Sequence, residues 1–406
     1  MSTQLRTKEL LEQFKLSRQT LYNWIREGNV SPPEKDWRGW RMWTEEHVKE
    51  ISNIIKGKEV NLSIPAIKNT KFNINNRRYL GSKYKLLNFI SKVVEENCEN
   101  VHTVADIFGG TGVVADRFKA EGKKIIVNDI LYSNYLSYWT WFSSEEVDYK
   151  KLENIIKDFN NVVVTKENYV SKHFGGTYFT EDNARKIGYI RECIEQLSDS
   201  LTFREKAILI TSLLYAMDKV ANTVGHYDAY RRKLDSLGKL NLLVPEIDGI
   251  KNQENKIYQK DANILVREIS ADLFYIDTPY NSRQYGDAYH LLENIAEWKE
   301  QEVVGVAKKM VDRAHIKSDY CTQKAPKAFE DLVSNIHGKY ILVSYNNMAE
   351  KGVGRSNAKI SSEEIVEILQ KRGEVQVFET DFKVYTTGKT NIEGHKELLY
   401  LCKIDG

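Results

Sequence analysis

The residues best suited to chemistry lie in the segment Tyr275-Ile-Asp-Thr-Pro-Tyr-Asn281, where an apolar run ends in an acid, a proline and an aromatic residue. The carboxylate of Asp277 and the backbone carbonyl of Thr278 are hydrogen-bond acceptors. Pro279 stiffens the loop and removes a competing backbone donor. Two acceptors beside the ring of Tyr280 fit the methylation of an exocyclic amino group on a base that has left the duplex stack. We expect positioning and exclusion of water to supply catalysis there, without a nucleophilic serine or cysteine.

A glycine-rich turn, Asp106-Ile-Phe-Gly-Gly-Thr-Gly112, follows a strand-like run and precedes a predicted helix. Its glycines let the backbone turn tightly and approach a ligand at the carboxyl edge of a sheet, although such a turn also occurs without a ligand. No GK[ST] ending follows, which argues against a nucleotide-triphosphate loop. The next strand-like run ends at Asp129, which fits either a ribose-binding acid or a capping aspartate. Together the two elements predict a dinucleotide or S-adenosylmethionine.

Four apolar runs alternate with helical patterns from residue 77 onward: VADIFGGTG, KIIVND, LFYIDTPY and YILVSYNN. Runs buried on both faces and separated by helices are typical of a mostly parallel sheet. We therefore predict an α/β catalytic domain with a Rossmann-like sheet in residues 77–130 and 256–406. Residues 131–255 lack comparable strand-then-acid units, which predicts a largely helical insertion.

Residues 1–57 contain three short stretches with apolar residues at spacings of three and four, which predicts an all-α module. Two prolines interrupt this pattern at SPPEKDWRGWRMW, where alternating tryptophan and arginine fit a small two-stranded wing. The lysine- and asparagine-rich residues 58–76 predict a linker.

The composition permits a large core, since 41% of the 406 residues are apolar and 11% are aromatic. The formal charge of +2, from 59 basic and 57 acidic residues, neither demands nor excludes a polyanionic partner. No apolar run is long enough to span a membrane and no cleavable leader is evident, so we expect a cytoplasmic protein. The four cysteines are far apart and no histidine has companions at metal-ligand spacing, so we expect neither a disulfide framework nor a required metal.

The catalytic and cofactor motifs, taken in order, resemble those of the Dam-like, alpha-group adenine-N6 DNA methyltransferases over residues 77–402. Asp277, Pro279 and Tyr280 match the Asp-Pro-Pro-Tyr motif of that family, with Thr278 in place of its first proline. The acceptor expected from position 278 is a backbone carbonyl, which threonine keeps, although the loop loses rigidity. The resemblance implies S-adenosylmethionine as methyl donor, bound by Tyr79, Gly81 and Lys83 of a first motif, by Asp106, Phe108, Gly110 and Gly112 of a second, by Asp129 at the ribose and by Asp261 at the adenine.

A glycine motif that precedes the catalytic motif by a long insertion resembles the alpha group, which makes residues 131–255 the expected target-recognition region. The following stretch, NSRQYGDAYHLLE, resembles the restriction-modification branch, and the N-terminal module resembles a MerR-like winged helix-turn-helix. The candidates for DNA contact are Arg18, Tyr22 and Arg26 on the recognition helix, Arg38 and Arg41 on the wing, and Asn222, His226, Tyr230 and Arg231 in the insertion. Solvated residues at a helix end would explain the last group equally well, and the N-terminal tryptophans could form only a core.

The resemblance implies methyl transfer to adenine N6 at a specific site in double-stranded DNA, as the modification enzyme of a type II system with a cognate restriction endonuclease. Two alternatives remain open at this stage. One is methylation of cytosine N4, against which the motif order argues. The other is a DNA-binding transcription regulator with an inactive methyltransferase-like domain. The N-terminal module would serve either target binding or repression of the gene's own promoter.

Overall fold

The computed structural model describes residues 5–14, 16, 20–21, 24–25, 30–34, 41–61, 71–234, 238–247, 252–280, 282–346, 358–381 and 396–405. The chain forms two compact units, Met1–Thr70 and Lys71–Gly406. Among the described residues, no helix combines the length and apolar character needed to cross a membrane.

The smaller unit has the helices Thr7–Phe14 and Glu45–Asn61 and a two-stranded antiparallel ladder of β1 (Leu5–Arg6) and β2 (Met42–Trp43). Trp43 is fully buried, and its indole N–H donates to the hydroxyl of Thr7 at 3.0 Å. β2 thus pairs with the start of the unit, whereas the sequence predicts a wing within residues 31–43. Residues 35–40 of that segment lie outside the described residues, so the wing stays a prediction.

The larger unit is built on a seven-stranded sheet with the order β12 (Gly373–Asp381), β13 (Lys396–Ile404), β11 (Tyr340–Asn346), β8 (Leu273–Ile276), β4 (Thr103–Asp106), β5 (Lys124–Asn128) and β7 (Lys256–Tyr258). In the described sheet β13 alone runs opposite to the other six strands, because β11, β8, β4, β5 and β7 pair in parallel and β13 is antiparallel to both β11 and β12. The other described strands of this unit are β3 (Lys71–Phe72), β6 (Val244–Pro245), β9 (Val303–Val304) and β10 (Lys309–Met310).

Helices pack on both faces of the central strands, and most residues of these strands are buried. Every residue of β8 and β11 is buried, as expected for parallel strands of β-branched and aromatic residues between helical layers. The predicted α/β fold with a mostly parallel sheet is confirmed. The α-helices of this unit are Leu87–Asn97, Val113–Ala120, Tyr132–Phe142, Tyr149–Asn161, Tyr169–Phe174, Glu181–Gln196, Phe203–Val220, Ala262–Leu265, Tyr285–Ala288, His290–Glu297, Ala325–Ser334 and Ser362–Gln370.

The region between β5 and β7 is helical, and its longest helix, Phe203–Val220, begins with a reciprocal capping box between Thr202 and Glu205. Its core is shared, because apolar residues of helix His290–Glu297 belong to the same buried cluster. The boundaries predicted for an inserted recognition domain therefore stay a prediction. The structure differs from the predicted linker, residues 58–76, at both of its ends. A helix continues to Asn61, and Lys71–Phe72 pairs in parallel with β6.

The carboxyl ends of β4, β5 and β8 lie at one edge of the sheet. Asp106 is opposite Val127 in β5 and Tyr275 in β8, so the residues that follow these strands emerge side by side. Strand order reverses between β4 and β8, because the chain adds β5 and β7 on one side and β11 on the other. Such a switch point opens the crevice in which doubly wound folds bind ligands.

Candidate active site

One cavity of about 580 Å³ lies at this switch point. Most of the predicted cofactor and catalytic residues line it, although they come from distant parts of the sequence. Those that do are Tyr79, Gly81, Lys83, Asp106, Phe108, Gly110, Asp129, Asp261, Asp277 and Pro279, whereas Gly112, Thr278 and Tyr280 do not.

The glycine-rich turn after β4 forms one wall of the cavity. Gly110 and Gly112 have φ angles of +53° and +81°, which L-residues with side chains rarely adopt. A Cβ atom on Gly110 would also lie 3.1 Å from the ring of Tyr79. Gly112 lies behind this wall and begins helix Val113–Ala120. The turn therefore requires glycine at both positions, and it exposes backbone to the cavity.

Asp129 links this turn to the end of β5. Its carboxylate accepts hydrogen bonds from the backbone N–H groups of Gly110 at 3.0 Å and Leu131 at 2.8 Å. Both interpretations of Asp129 are thus compatible with the structure, since it caps the local turn and also lines the cavity. A carboxylate oxygen can accept more than one hydrogen bond, so ribose hydroxyls can still be bound.

Asp106 is the most strongly perturbed acid in the cavity. Burial, followed by repulsion from Asp277, raises the pKa of Asp106 to about 8, and the backbone N–H of Ala115 only partly opposes this. Among the described residues, no side chain donates a hydrogen bond to either carboxylate oxygen of Asp106. A buried acid left without such partners is the kind of group that a cationic ligand would satisfy.

Asp277 follows β8 and faces a lysine from the start of the larger unit. Its Oδ1 atom lies 2.9 Å from Nζ of Lys83, and the same ammonium lies 3.1 Å from Oε1 of Glu397 in β13. Burial raises the pKa of Asp277 to about 6, with Lys83 opposing this shift and Glu397 adding to it. Asp277 is consequently ionised at neutral pH and positioned as an acceptor.

Glu397 is a residue of this site that the sequence does not reveal. It lies 120 positions beyond Asp277 in a stretch, KELLYL, that reads only as a strand. Tyr275 and Tyr285, which also line the cavity, flank the catalytic motif and could have been included on that ground.

Tyr280 packs beside the cavity. Its ring is edge-on to that of Tyr345 with centroids 6.2 Å apart, and its backbone carbonyl accepts from the N–H of Lys359 at 3.0 Å. Burial raises the pKa of Tyr280, with Lys83 opposing this shift and Asp277 and Glu397 adding to it, so the hydroxyl of Tyr280 interacts with all three charged groups. Thr278 is 2% exposed, so its side chain does not face solvent.

The first motif is held by stacked aromatic rings. Tyr79 stacks on Tyr289 with centroids 4.5 Å apart, and the guanidinium of Arg77 lies 5.4 Å from the centroid of the Tyr79 ring. Arg77 is buried and pairs with Asp218 at 4.0 Å. This arrangement fixes the ring of Tyr79 against the cavity.

The far end of the cavity carries Asp261 and Phe108. Asp261 caps helix Ala262–Leu265 by accepting from the N–H groups of Asn263 and Ile264. Phe108 packs edge-on to Tyr320, with centroids 5.1 Å apart. An aromatic wall beside an exposed acid is suited to an adenine ring with a hydrogen-bonding edge.

The insertion candidates lie together in one loop region. Asn222 is 2% exposed and donates to the carbonyls of Thr177 and Arg231, so a direct contact with DNA would require its amide to leave these partners. His226 and Tyr230 are half-buried, and Arg231 is exposed. His226 lies 3.7 Å from Asp228.

Of the N-terminal candidates, Arg41 is half-buried and adjoins β2. The other four, Arg18, Tyr22, Arg26 and Arg38, lie outside the described residues. Within the part of the chain that the structure describes, no group of three or more His, Cys, Asp or Glu side chains could hold a metal ion.

Comparisons with known proteins agree with this geometry. The model of the D12 class N6 adenine-specific DNA methyltransferases matches residues 79–353, and the model of the MerR HTH family regulatory proteins matches residues 5–71. The predicted resemblances to adenine-N6 methyltransferases and to a MerR-like module are thereby confirmed.

Curated relatives include three modification enzymes. The chain is 34% identical over 344 residues to modification methylase StsI of Streptococcus sanguinis, and this alignment covers 80% of the chain and 51% of StsI. It is 32% identical over 348 residues to modification methylase LlaI of Lactococcus lactis, which covers 79% of this chain and 53% of LlaI. It is 31% identical over 335 residues to type II methyltransferase M.NlaIII of Neisseria lactamica, which covers 78% of this chain and 95% of M.NlaIII. The chain thus spans about half the length of StsI and LlaI.

Proposed function

Because the chain belongs to the D12 class N6 adenine-specific DNA methyltransferase family, we propose that it transfers a methyl group from S-adenosylmethionine to adenine N6 at a specific site in duplex DNA. The observation that carries the proposal is the convergence of Asp277 with Asp106 in one cavity at the switch point of the sheet. Asp277 supplies an acceptor for an amino group, and Asp106 supplies a buried negative charge for a cationic donor.

S-adenosylmethionine fits the residues of the cavity. The buried carboxylate of Asp106 would hold the ammonium or sulfonium charge, and its proton would leave as the cation binds. The backbone of the Gly110 turn allows close approach, Asp129 would hold the ribose, and Phe108 and Asp261 would hold the adenine. S-adenosylmethionine supplies a methyl group that is activated by attachment to a sulfonium.

The residues of the chain then orient the target. Asp277 and the carbonyl of Thr278 would accept the two amino protons, which directs the N6 lone pair toward the methyl group. Asp277 would also accept the proton that N6 loses on methylation and pass it to water. Tyr280 would stack on the everted adenine and offset part of the cost of unstacking it. Because the ring of Tyr280 packs against that of Tyr345, the side chain of Tyr280 would rotate when the base binds.

The DNA partner would be held by the helical region and by the smaller unit. We assign target recognition to residues 131–255 and assistance in DNA binding to residues 1–57, with residues 77–130 and 256–406 as the catalytic domain. The relatives are named modification methylases and a type II methyltransferase, which supports a place in a type II restriction-modification system beside a cognate endonuclease. An enzyme of such a system acts on bacterial DNA in the cytoplasm.

Nucleoside analysis of methylated DNA tests this proposal. The full chain would be incubated with labelled S-adenosylmethionine and mixed-sequence duplex DNA, and the digested nucleosides analysed by mass spectrometry. We expect N6-methyladenine from the wild-type protein and none from Asp277→Ala, with cofactor affinity retained in the variant. N4-methylcytosine as the product, or DNA binding without label transfer, would overturn the assignment in favour of one of the two alternatives.

A further inference from the structure

We propose that Glu397 is a positioning residue for Asp277 and acts through Lys83. The ammonium of Lys83 lies between the two carboxylates, 2.9 Å from Asp277 and 3.1 Å from Glu397. This inference rests on the proposed function, because it assumes that Asp277 orients the target amino group.

The position of Glu397 is fixed from two directions. It is opposite Asn346 at the start of β13, and its Oε1 atom accepts a hydrogen bond from the hydroxyl of Ser344 in β11 at 3.1 Å. The residue is 4% exposed, and Lys83 is 7% exposed. A buried carboxylate with two partners is rigid, so it can hold the lysine ammonium in one place.

This anchorage explains how Lys83 can stabilise the carboxylate of Asp277 without taking up all of its hydrogen-bond acceptor sites. An ammonium has three N–H donors, and Glu397 and Asp277 each lie within hydrogen-bond distance of it. Without Glu397, Lys83 would be drawn fully onto Asp277 and would compete with the amino group for its oxygens. Glu397 therefore keeps Asp277 available as an acceptor, while the ammonium of Lys83 favours its ionised form.

The charged and titratable groups around Asp277 set the sign of the expected effects. Lys83 favours its ionised form, and Glu397 disfavours it. The other groups that interact with Asp277 are Asp106, Tyr275, Tyr280 and Tyr285. Since Glu397 is a like charge, its removal lowers the pKa of Asp277, whereas removal of Lys83 raises it.

The variants Glu397→Gln and Lys83→Met should consequently shift the titration of Asp277 in opposite directions. The probe is the carbon-13 signal of the Asp277 carboxyl group in the full chain, labelled on aspartate and assigned with Asp277→Asn. We expect the midpoint to fall by about 0.5–1 pH unit in Glu397→Gln and to rise in Lys83→Met. The acid limb of kcat should move the same way, and kcat of Glu397→Gln above that limb should fall roughly tenfold as Lys83 competes for Asp277.

A matched control is available on the neighbouring strand. Glu379 of β12 forms an exposed ion pair with Lys396, the residue before Glu397. Glu379→Gln removes a carboxylate from the same pair of strands and should leave both the titration and the pH profile unchanged.

The outcomes separate this inference from the proposed function. If Glu397→Gln lowers kcat by one factor at every pH and leaves the Asp277 midpoint in place, Glu397 is only structural and the inference is wrong. If the midpoints shift as expected but wild-type protein makes no N6-methyladenine, the coupling of the three side chains stands and the proposed function fails. Glu397→Asp, which keeps the charge on a shorter side chain, should restore the wild-type midpoint in part.

Discussion

The carboxylate of Asp129 accepts a hydrogen bond from the backbone N–H of Gly110 at 3.0 Å, so the acid that follows β5 also fixes the turn that follows β4. The two neighbouring strands thereby form one wall of the cavity. Any ligand that contacts Asp129 also depends on the shape of the glycine turn.

Replacing Asp129 by asparagine should lower cofactor affinity. The asparagine carbonyl can still accept from Leu131, but its NH₂ group cannot accept from Gly110, so the turn loses one anchor. Loss of one hydrogen bond to a charged group corresponds to about 1.5–3 kcal/mol, or roughly a 10–100-fold weaker Kd. Calorimetric titration with S-adenosylmethionine measures this, and an unchanged Kd would show that Asp129 only caps the turn. We expect kcat at saturating cofactor to change much less than Kd.

Replacing Asp106 by asparagine should separate stability from binding. Because burial raises the pKa of Asp106 to about 8 in the folded protein, its contribution to stability is present at acidic pH and is lost as the pH rises toward 8. Without cofactor, the wild type should lose stability relative to Asp106→Asn between pH 5 and 8, by at most about 1.4 kcal/mol per pH unit. Urea unfolding at several pH values gives these slopes. The same variant should bind S-adenosylmethionine more weakly. If the free energies of unfolding of the wild type and Asp106→Asn change in parallel with pH, the pKa of Asp106 is not raised in the folded protein.

Replacing Tyr280 by alanine or phenylalanine should distinguish its ring from its hydroxyl. A ring that stacks on a base contributes about 1–3 kcal/mol, so the alanine variant should lose roughly 5–150-fold in affinity for duplex DNA that carries the target site. Phenylalanine keeps the ring and should keep most of that affinity. Fluorescence of 2-aminopurine at the target position reports base eversion directly. Equal losses in both variants would point to the hydroxyl and contradict the stacking role.

Removing residues 1–70 should leave the catalytic machinery intact, because Lys71–Gly406 is a compact unit that contains the whole cavity. Cofactor affinity should stay within about twofold of that of the full chain. DNA affinity should fall and depend less steeply on salt, since fewer phosphate contacts release fewer counterions. Binding isotherms at several salt concentrations test both points, and a truncated chain with no cofactor binding would show that the two units depend on each other.

The sequence predicts the edge of the sheet well because β4, β5 and β8 are each a continuous apolar run with an aspartate at or just after its end. Asp106, Asp129 and Asp277 were found in this way, and parallel pairing brings them together. The sequence does not predict a role for Glu397, since an acid at the start of an apolar strand resembles an ordinary solvent-exposed strand end. The separation of Glu397 from Lys83, by 314 positions, is likewise invisible to any local pattern. Asn222 shows the opposite difficulty, because a polar residue in a loop reads as exposed although its amide is used by neighbouring carbonyls.

The reversed strand β13 also affects how the protein can be made. In the described sheet, β12 has no neighbour except β13, which lies between β12 and β11. While the chain is being synthesised, β12 can therefore pair only after β13 has left the ribosome, and until then its edge is open to association with other nascent chains. Slow translation between residues 381 and 396 would lengthen that interval and favour aggregation, whereas chaperone binding to β12 would protect against it.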